Sequence, residues 1–193
     1  MPSISLRPFR FGLFVPVVAA AVLSGCGNPL ALPPAQFENR VDTVTLYALR
    51  ETAIGTPSGF DVVGRRASRT DLAQPFDFAF DIDSTGAAVL LPAASLGVSG
   101  NAGMALQDTT FEGLTEVPTV EFTTDRAVAI AAGNVLVIRS RPSSDFCSLL
   151  GSLPRYGKLR VLGLDPTART MTFEAVINVN CGYRNLEPGF PES

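Results

Sequence analysis

The chain has 193 residues, 15 basic and 18 acidic side chains, a formal net charge of −3, and neither histidine nor tryptophan. Without histidine, Ser-His-Asp and Cys-His nucleophilic machinery is excluded, and the usual zinc sites lose a principal ligand. The mild acidic excess, with no basic stripe, argues against a nucleic-acid partner.

At the N-terminus Arg7 and Arg10 precede an apolar run, residues 11–23, interrupted only by Gly12 and Pro16. These 13 residues are too few to span a hydrocarbon core, which needs about 20 in a helix. Leu23-Ser24-Gly25-Cys26 follows directly. The pattern resembles the lipobox of bacterial lipoproteins over residues 1–27. That resemblance implies cleavage after Gly25, a diacylglyceryl group on the Cys26 thiol, and usually a further acyl chain such as palmitate on the new N-terminus. Each buried CH₂ contributes about 0.8 kcal/mol, so two or three chains hold firmly where one does not. Gly27 stands where an aspartate commonly signals inner-membrane retention, which implies the outer membrane in a two-membrane envelope.

Residues 1–25 are thus expected to be a cleaved signal and 26–40 a tether stiffened by Pro29, Pro33 and Pro34. Residues 41–187 are expected to form a single domain, and 188–193 an irregular tail. Cys147 and Cys181 remain once Cys26 carries lipid. In an oxidising compartment an even pair predicts a disulfide.

Period-two alternation dominates from Val41 onward. Strands are predicted over residues 42–50, 60–64, 76–82, 87–91, 119–123, 127–130, 135–140, 158–164 and 170–180. Phe76, Phe78, Phe80 and Ile82 are expected on a core face, with Asp77, Ala79 and Asp81 on a solvated outer one. Residues 92–114 are the least regular, with a helical turn near Phe111. Segments 127–130 and 135–140 are predicted to form a hairpin around Gly133-Asn134. A long loop carries Cys147. In the last strand Met171, Phe173, Ala175, Ile177, Val179 and Cys181 share the core side. Eight or so short strands without a helical pattern predict an all-β fold, an antiparallel β-sandwich or open barrel.

Candidate chemistry is sparse. Asp77 and Asp81, with Asp83 beyond them, could form a glycosidase-like carboxylate pair if a cleft raised one pKa; a solvated face is the simpler expectation. Asp81-Ile82-Asp83-Ser84-Thr85-Gly86 imitates the start of a calcium loop, but the twelfth position is Pro92 rather than glutamate. A hairpin turn accounts for the same residues. Lys158 is the only lysine and no Ser-x-x-Lys pattern surrounds it. Met104 and Met171 read as packing residues. No cofactor and no catalytic residue is therefore expected.

Leu136-Val137-Ile138-Arg139-Ser140 and Tyr156-Gly157-Lys158-Leu159-Arg160-Val161 resemble core strands of HmuY-like lipoproteins, all-β haem carriers. That resemblance implies a related fold. It does not carry haem binding across, because the haem-ligating histidines are missing. The expectation is a membrane-anchored, non-catalytic structural or protein-interaction module of the envelope. Its alternative is a solute-binding lipoprotein feeding a transporter.

Overall fold

A computed structural model describes residues 32–191. Among these, ten strands form two five-stranded antiparallel sheets, a β-sandwich without barrel closure. In chain order they are β1 (Val41–Tyr47), β2 (Gly59–Asp61), β3 (Arg66–Ser68), β4 (Phe78–Ile82), β5 (Ala88–Pro92), β6 (Gly103–Gln107), β7 (Val128–Ala129), β8 (Val135–Arg139), β9 (Tyr156–Asp165) and β10 (Thr170–Asn178). The larger sheet runs β1-β10-β9-β8-β6 and the smaller β3-β2-β4-β5-β7. One four-residue helix, α1 (Phe146–Leu149), interrupts the long loop, and a 3-10 turn (Ala93–Leu96) follows β5.

The core follows from alternation. Met171, Phe173, Ala175 and Ile177 of β10 face Phe60, Phe78 and Phe80 of the smaller sheet. Phe173 meets Phe60 edge-on at 5.3 Å between ring centroids, and Phe60 lies 5.4 Å from Phe78. Met104 and Met171 are both buried in this core. Gly157 exists to let β9 approach: a Cβ there would stand 2.4 Å from Ile177 Cδ1 and 2.8 Å from the Val176 carbonyl oxygen.

A second apolar cluster lies on the outer face of the larger sheet. Val135, Val137 and Val176 are covered by Phe111, Leu114 and Val117, with Leu186 added from the C-terminal segment. Sheet and irregular cover therefore make a third layer.

Several expected elements are placed differently. The predicted hairpin of 127–130 with 135–140 does not form, because β7 pairs with β5 in the smaller sheet while β8 pairs with β6 and β9. The turn crosses between sheets, held by Gly133 N–H on the Val161 carbonyl and Val161 N–H on the Asn134 carbonyl. Residues 119–123 make only an isolated bridge, Met104 to Thr123. The strand that forms this edge of the larger sheet, opposite β1, is β6, which begins at Gly103 within the glycine-rich stretch. Phe76 precedes β4 and packs with Ala79 and Ala93, away from Phe78 and Phe80. The face carrying Asp77, Ala79 and Asp81 is not solvated: all three are at most 2% exposed. Cys181 lies in the turn after β10 rather than on its core face.

Residues 36–39, expected in the tether, are bonded to the domain. The N–H groups of Gln36 and Phe37 donate to Asn180 Oδ1, and Asn180 Nδ2 donates back to the Phe37 carbonyl. Asn39 bridges to Gly189.

Strand direction defines two ends. Val41 pairs with Val176 at one and Tyr47 with Thr170 at the other. The first, here the cystine end, carries Phe37, Asn180 and the long loop. The second, the hairpin end, carries the 83–86 and 165–169 turns.

Candidate functional site

The strongest convergence of charge sits at the cystine end. The loop leaving β8 turns at Arg141, whose N–H donates to Asp77 Oδ1 at 2.7 Å. Its guanidinium donates to Asp77 Oδ2 at 2.7 Å and to Asp61 Oδ1 at 2.9 Å. Val62 N–H donates to the same Asp77 Oδ2 at 2.7 Å. Burial pushes the Asp77 carboxyl above the usual carboxylate range, against the pull of Arg141 and the Val62 N–H. Asp61 reaches Arg141 past Gly64, where a Cβ would lie 2.4 Å from Asp61 Oδ2.

Beside this cluster an open cleft of about 420 Å³ is lined by Asp61, Val63, Pro75, Arg141, Ser143 and Asp145. A buried acid of raised pKa beside a cleft is the usual signature of a catalytic group. Here both Asp77 oxygens already accept from the chain's own donors, and the side chain is 1% exposed. The arrangement clamps the β2–β3 hairpin, β4 and the long loop together and engages both Asp77 oxygens, while Asp61 Oδ2 keeps only a 3.6 Å ion pair with Arg66.

The rest of the long loop is fastened by Arg155. Its Nη2 donates to Asp145 Oδ2 at 2.6 Å, Nη1 to Ser143 Oγ at 3.1 Å and Nε to the Val179 carbonyl at 2.9 Å. Asp145 also caps α1 by accepting from Cys147 N–H at 3.0 Å. Burial works against its charge, but Ser143, Arg155 and the Cys147 N–H together hold its pKa below the usual range. Cys147 and Cys181 are joined in a disulfide with Cα atoms 5.3 Å apart, tying α1 to the turn after β10.

The other sequence candidates resolve into structural roles. Asp81 accepts from Arg50 Nε at 2.7 Å and from the N–H groups of Arg50 and Ile82. Asp83 accepts from the Thr85 hydroxyl and from the N–H groups of Ala87 and Thr85, which hold its pKa below the usual range. That is the chemistry of a hairpin turn. Asp77 and Asp81 answer to different arginines, so they do not act as a pair. Among the described residues no cluster of three or more potential metal ligands occurs. Cys26 lies outside the described residues.

Sequence reasoning missed the roles of Arg141, Arg155 and Lys158. Lys158, on β9 between Val137 and Val176, is 2% exposed. Its ammonium donates to the Phe111 carbonyl at 2.7 Å and the Leu114 carbonyl at 3.0 Å, and sits 4.6 Å from the Phe111 ring centroid. Burial pushes its pKa down, partly opposed by Glu112, Glu187 and Glu174. A serine partner for catalysis is replaced by two carbonyls.

At the hairpin end a smaller apolar mouth of about 240 Å³ opens between the sheets, lined by Phe80, Ile82, Ala88, Ile130, Leu164 and Pro166 among others. No protein-family model matches the chain, and no curated protein matches it in sequence.

Proposed function

We propose that this protein is a lipid-anchored envelope lipoprotein whose β-sandwich serves as a non-catalytic structural or protein-interaction module. The observation that carries the anchor is Leu23-Ser24-Gly25-Cys26 at the end of an arginine-led apolar run. The Cys147–Cys181 disulfide supports export, since such bonds persist in oxidising compartments. Gly27 favours the outer membrane where there are two. The non-catalytic reading is supported by how Asp61, Asp77, Asp81 and Lys158 spend their polar atoms, on arginines and backbone groups of the same chain. Intact-mass analysis of membrane-extracted protein tests the anchor: Cys26 should carry diacylglyceryl as the first residue. A Cys26→Ala variant processed and retained like the wild type would overturn it.

The second reading, a solute carrier, is favoured by the apolar mouth at the hairpin end. Its volume is below the ~300–1,000 Å³ of drug-sized sites, so it would take only a small apolar ligand. Mass spectrometry of protein purified from envelope extract separates the two. Co-purification of an envelope protein supports the module; stoichiometric recovery of one small metabolite displaces it in favour of the carrier.

A further inference from the structure

The exposed large apolar side chains at the cystine end include Phe37 at 57%, Val41 at 47%, Phe146 at 55%, Leu149 at 79% and Phe190 at 69%, with Leu96 and Val98 in and after the turn that follows β5. Covalent and hydrogen-bonded links gather most of them. Phe37 is bonded to Asn180, whose neighbour Cys181 is joined to Cys147, next to Phe146. Gly189, next to Phe190, bridges Asn39. Phe146 and Leu149 are three apart on α1, hence on one side of it. We propose that this apolar end rests in the surface of the bilayer that holds the anchor, so that the protein stands on its membrane through these side chains.

The inference rests on the lipoprotein reading, and chain length connects the two. Nine residues, and so ten Cα-to-Cα steps, separate Cys26 from Gln36, the first residue bonded to Asn180. Fully extended they reach about 33–36 Å, and as a flexible chain they average about 16–19 Å. A domain of this size is about 40 Å across for a radius of gyration near 15 Å. The anchor therefore keeps the Gln36 end within one domain width of the lipid, and nothing longer is available to lift it away. Tethering also raises the effective concentration of the bilayer, so a modest apolar contact suffices.

Local charge fits this occupant. The charges beside Phe37 neutralise each other, with Arg40 Nε donating to Glu38 at 2.7 Å. Asp145, beside Phe146, is paired with Arg155. Docking is thus apolar rather than electrostatic, and it needs no basic patch. The hairpin end, with its apolar mouth, faces away from the membrane.

The absence of tryptophan makes the test direct. The lipidated full-length protein is purified as single-tryptophan variants F146W, L149W and F37W, with I54W as control. Ile54 is 82% exposed and follows β1 beyond Tyr47, at the hairpin end. Each is reconstituted into vesicles of phosphatidylethanolamine and phosphatidylglycerol with or without bromine on the acyl chains. An interfacial side chain sits roughly 5–10 Å into the headgroup–acyl boundary, so bromolipid should quench F146W and L149W about twofold and leave I54W unchanged. Intact mass of the same samples reports the lipid on Cys26. Lipid present with F146W, L149W and F37W no more quenched than I54W overturns the docking and leaves the anchor standing. Burial of those reporters in a self-associated dimer, unquenched by bromolipid, overturns it in favour of a second copy of the chain. Absence of lipid on Cys26 overturns both.

Discussion

Lys158→Met is the most informative single change to the fold. Methionine matches the length of the lysine stem and leaves no large void, so the substitution isolates the ammonium. Two buried carbonyls, on Phe111 and Leu114, lose their donor. A buried polar group left unpaired costs about 1–3 kcal/mol, and the cation over the Phe111 ring is worth up to about 2 more. The ammonium's own desolvation cost is returned, which leaves a net loss of about 1–3 kcal/mol against a total stability of about 5–15. The pH dependence has a definite sign. With the folded pKa depressed by burial, the unfolded chain holds the proton longer, so stability rises with pH between the folded value and the unfolded ~10.4. Urea unfolding followed by far-ultraviolet circular dichroism, at neutral pH and near pH 10, measures both effects; the wild-type protein should gain on the variant as pH rises. Because Lys158 is the only lysine, an amine-acylating reagent mapped to that residue also reports opening of the segment over the outer face. Labelling of native Lys158 at the rate of a free lysine, or equal stability of wild type and variant at pH 7, would refute the buried-staple account.

Replacing Cys147 and Cys181 together by serine should cost about 3–4 kcal/mol, from a loop closed over 34 residues. Hydrogen exchange should then rise in α1 while the Arg141 amide stays protected by Asp77; loss of protection along the entire loop would contradict this. Gly157→Ala should cost about 1–3 kcal/mol because the Val176 carbonyl cannot move aside, and an unchanged melting temperature would count against the stated close packing. Asp77→Asn tests the clamp through pH. The raised folded pKa means that the wild-type contribution is complete below about pH 3.9 and is lost as pH rises through the folded value. The stability difference between wild type and variant should therefore shrink from about pH 4 towards neutrality, and a flat difference would exclude a raised pKa at Asp77.

The long-range alternation made most of the sheet legible. Residues 76–82 and 87–91 correspond to the β4–β5 hairpin and 158–164 with 170–180 to β9–β10, because local pattern and pairing coincide there. What alternation cannot reveal is which face a third layer will cover. Asp77 and Asp81 sit at polar positions of a strand, which normally means solvent, yet Arg141 and Arg50 arrive from 64 and 31 residues away to bury them. Lys158 carried no signal of burial in the sequence for the same reason: the cover from Phe111 to Val117 is too irregular to announce itself. The 131–134 turn carried proper hairpin chemistry in Gly133-Asn134, with Gly133 at φ 87°, but a turn sets local geometry and not the partner strand. Cys147 and Cys181 were legible from arithmetic alone; that Arg155 independently holds the same loop was not, since a lone arginine after a proline carries no signal.

The cations that fasten the loops share a logic that bears on the proposed orientation. Arg141, Arg155 and Lys158 each join an irregular segment to a sheet where no strand ladder can do so. Side-chain hydrogen bonds to charged groups are stronger than neutral ones, so a few such contacts can fix a loop that backbone pairing leaves loose. Two of these three, together with the disulfide, lie at the end where the chain comes in from Cys26. The proposed tether would act on the domain at that point, and these contacts resist local opening there. The hairpin end is held in the same way: Arg169 donates to the Arg50 and Ile82 carbonyls and pairs with Glu51, and Arg50 pairs with Asp81, beside the open space that Phe80 and Ile130 line. What distinguishes the cystine end is its covalent link: Cys147–Cys181 fixes α1, with Phe146 and Leu149, to the turn after β10, so the proposed docking surface is cross-linked as well as hydrogen-bonded.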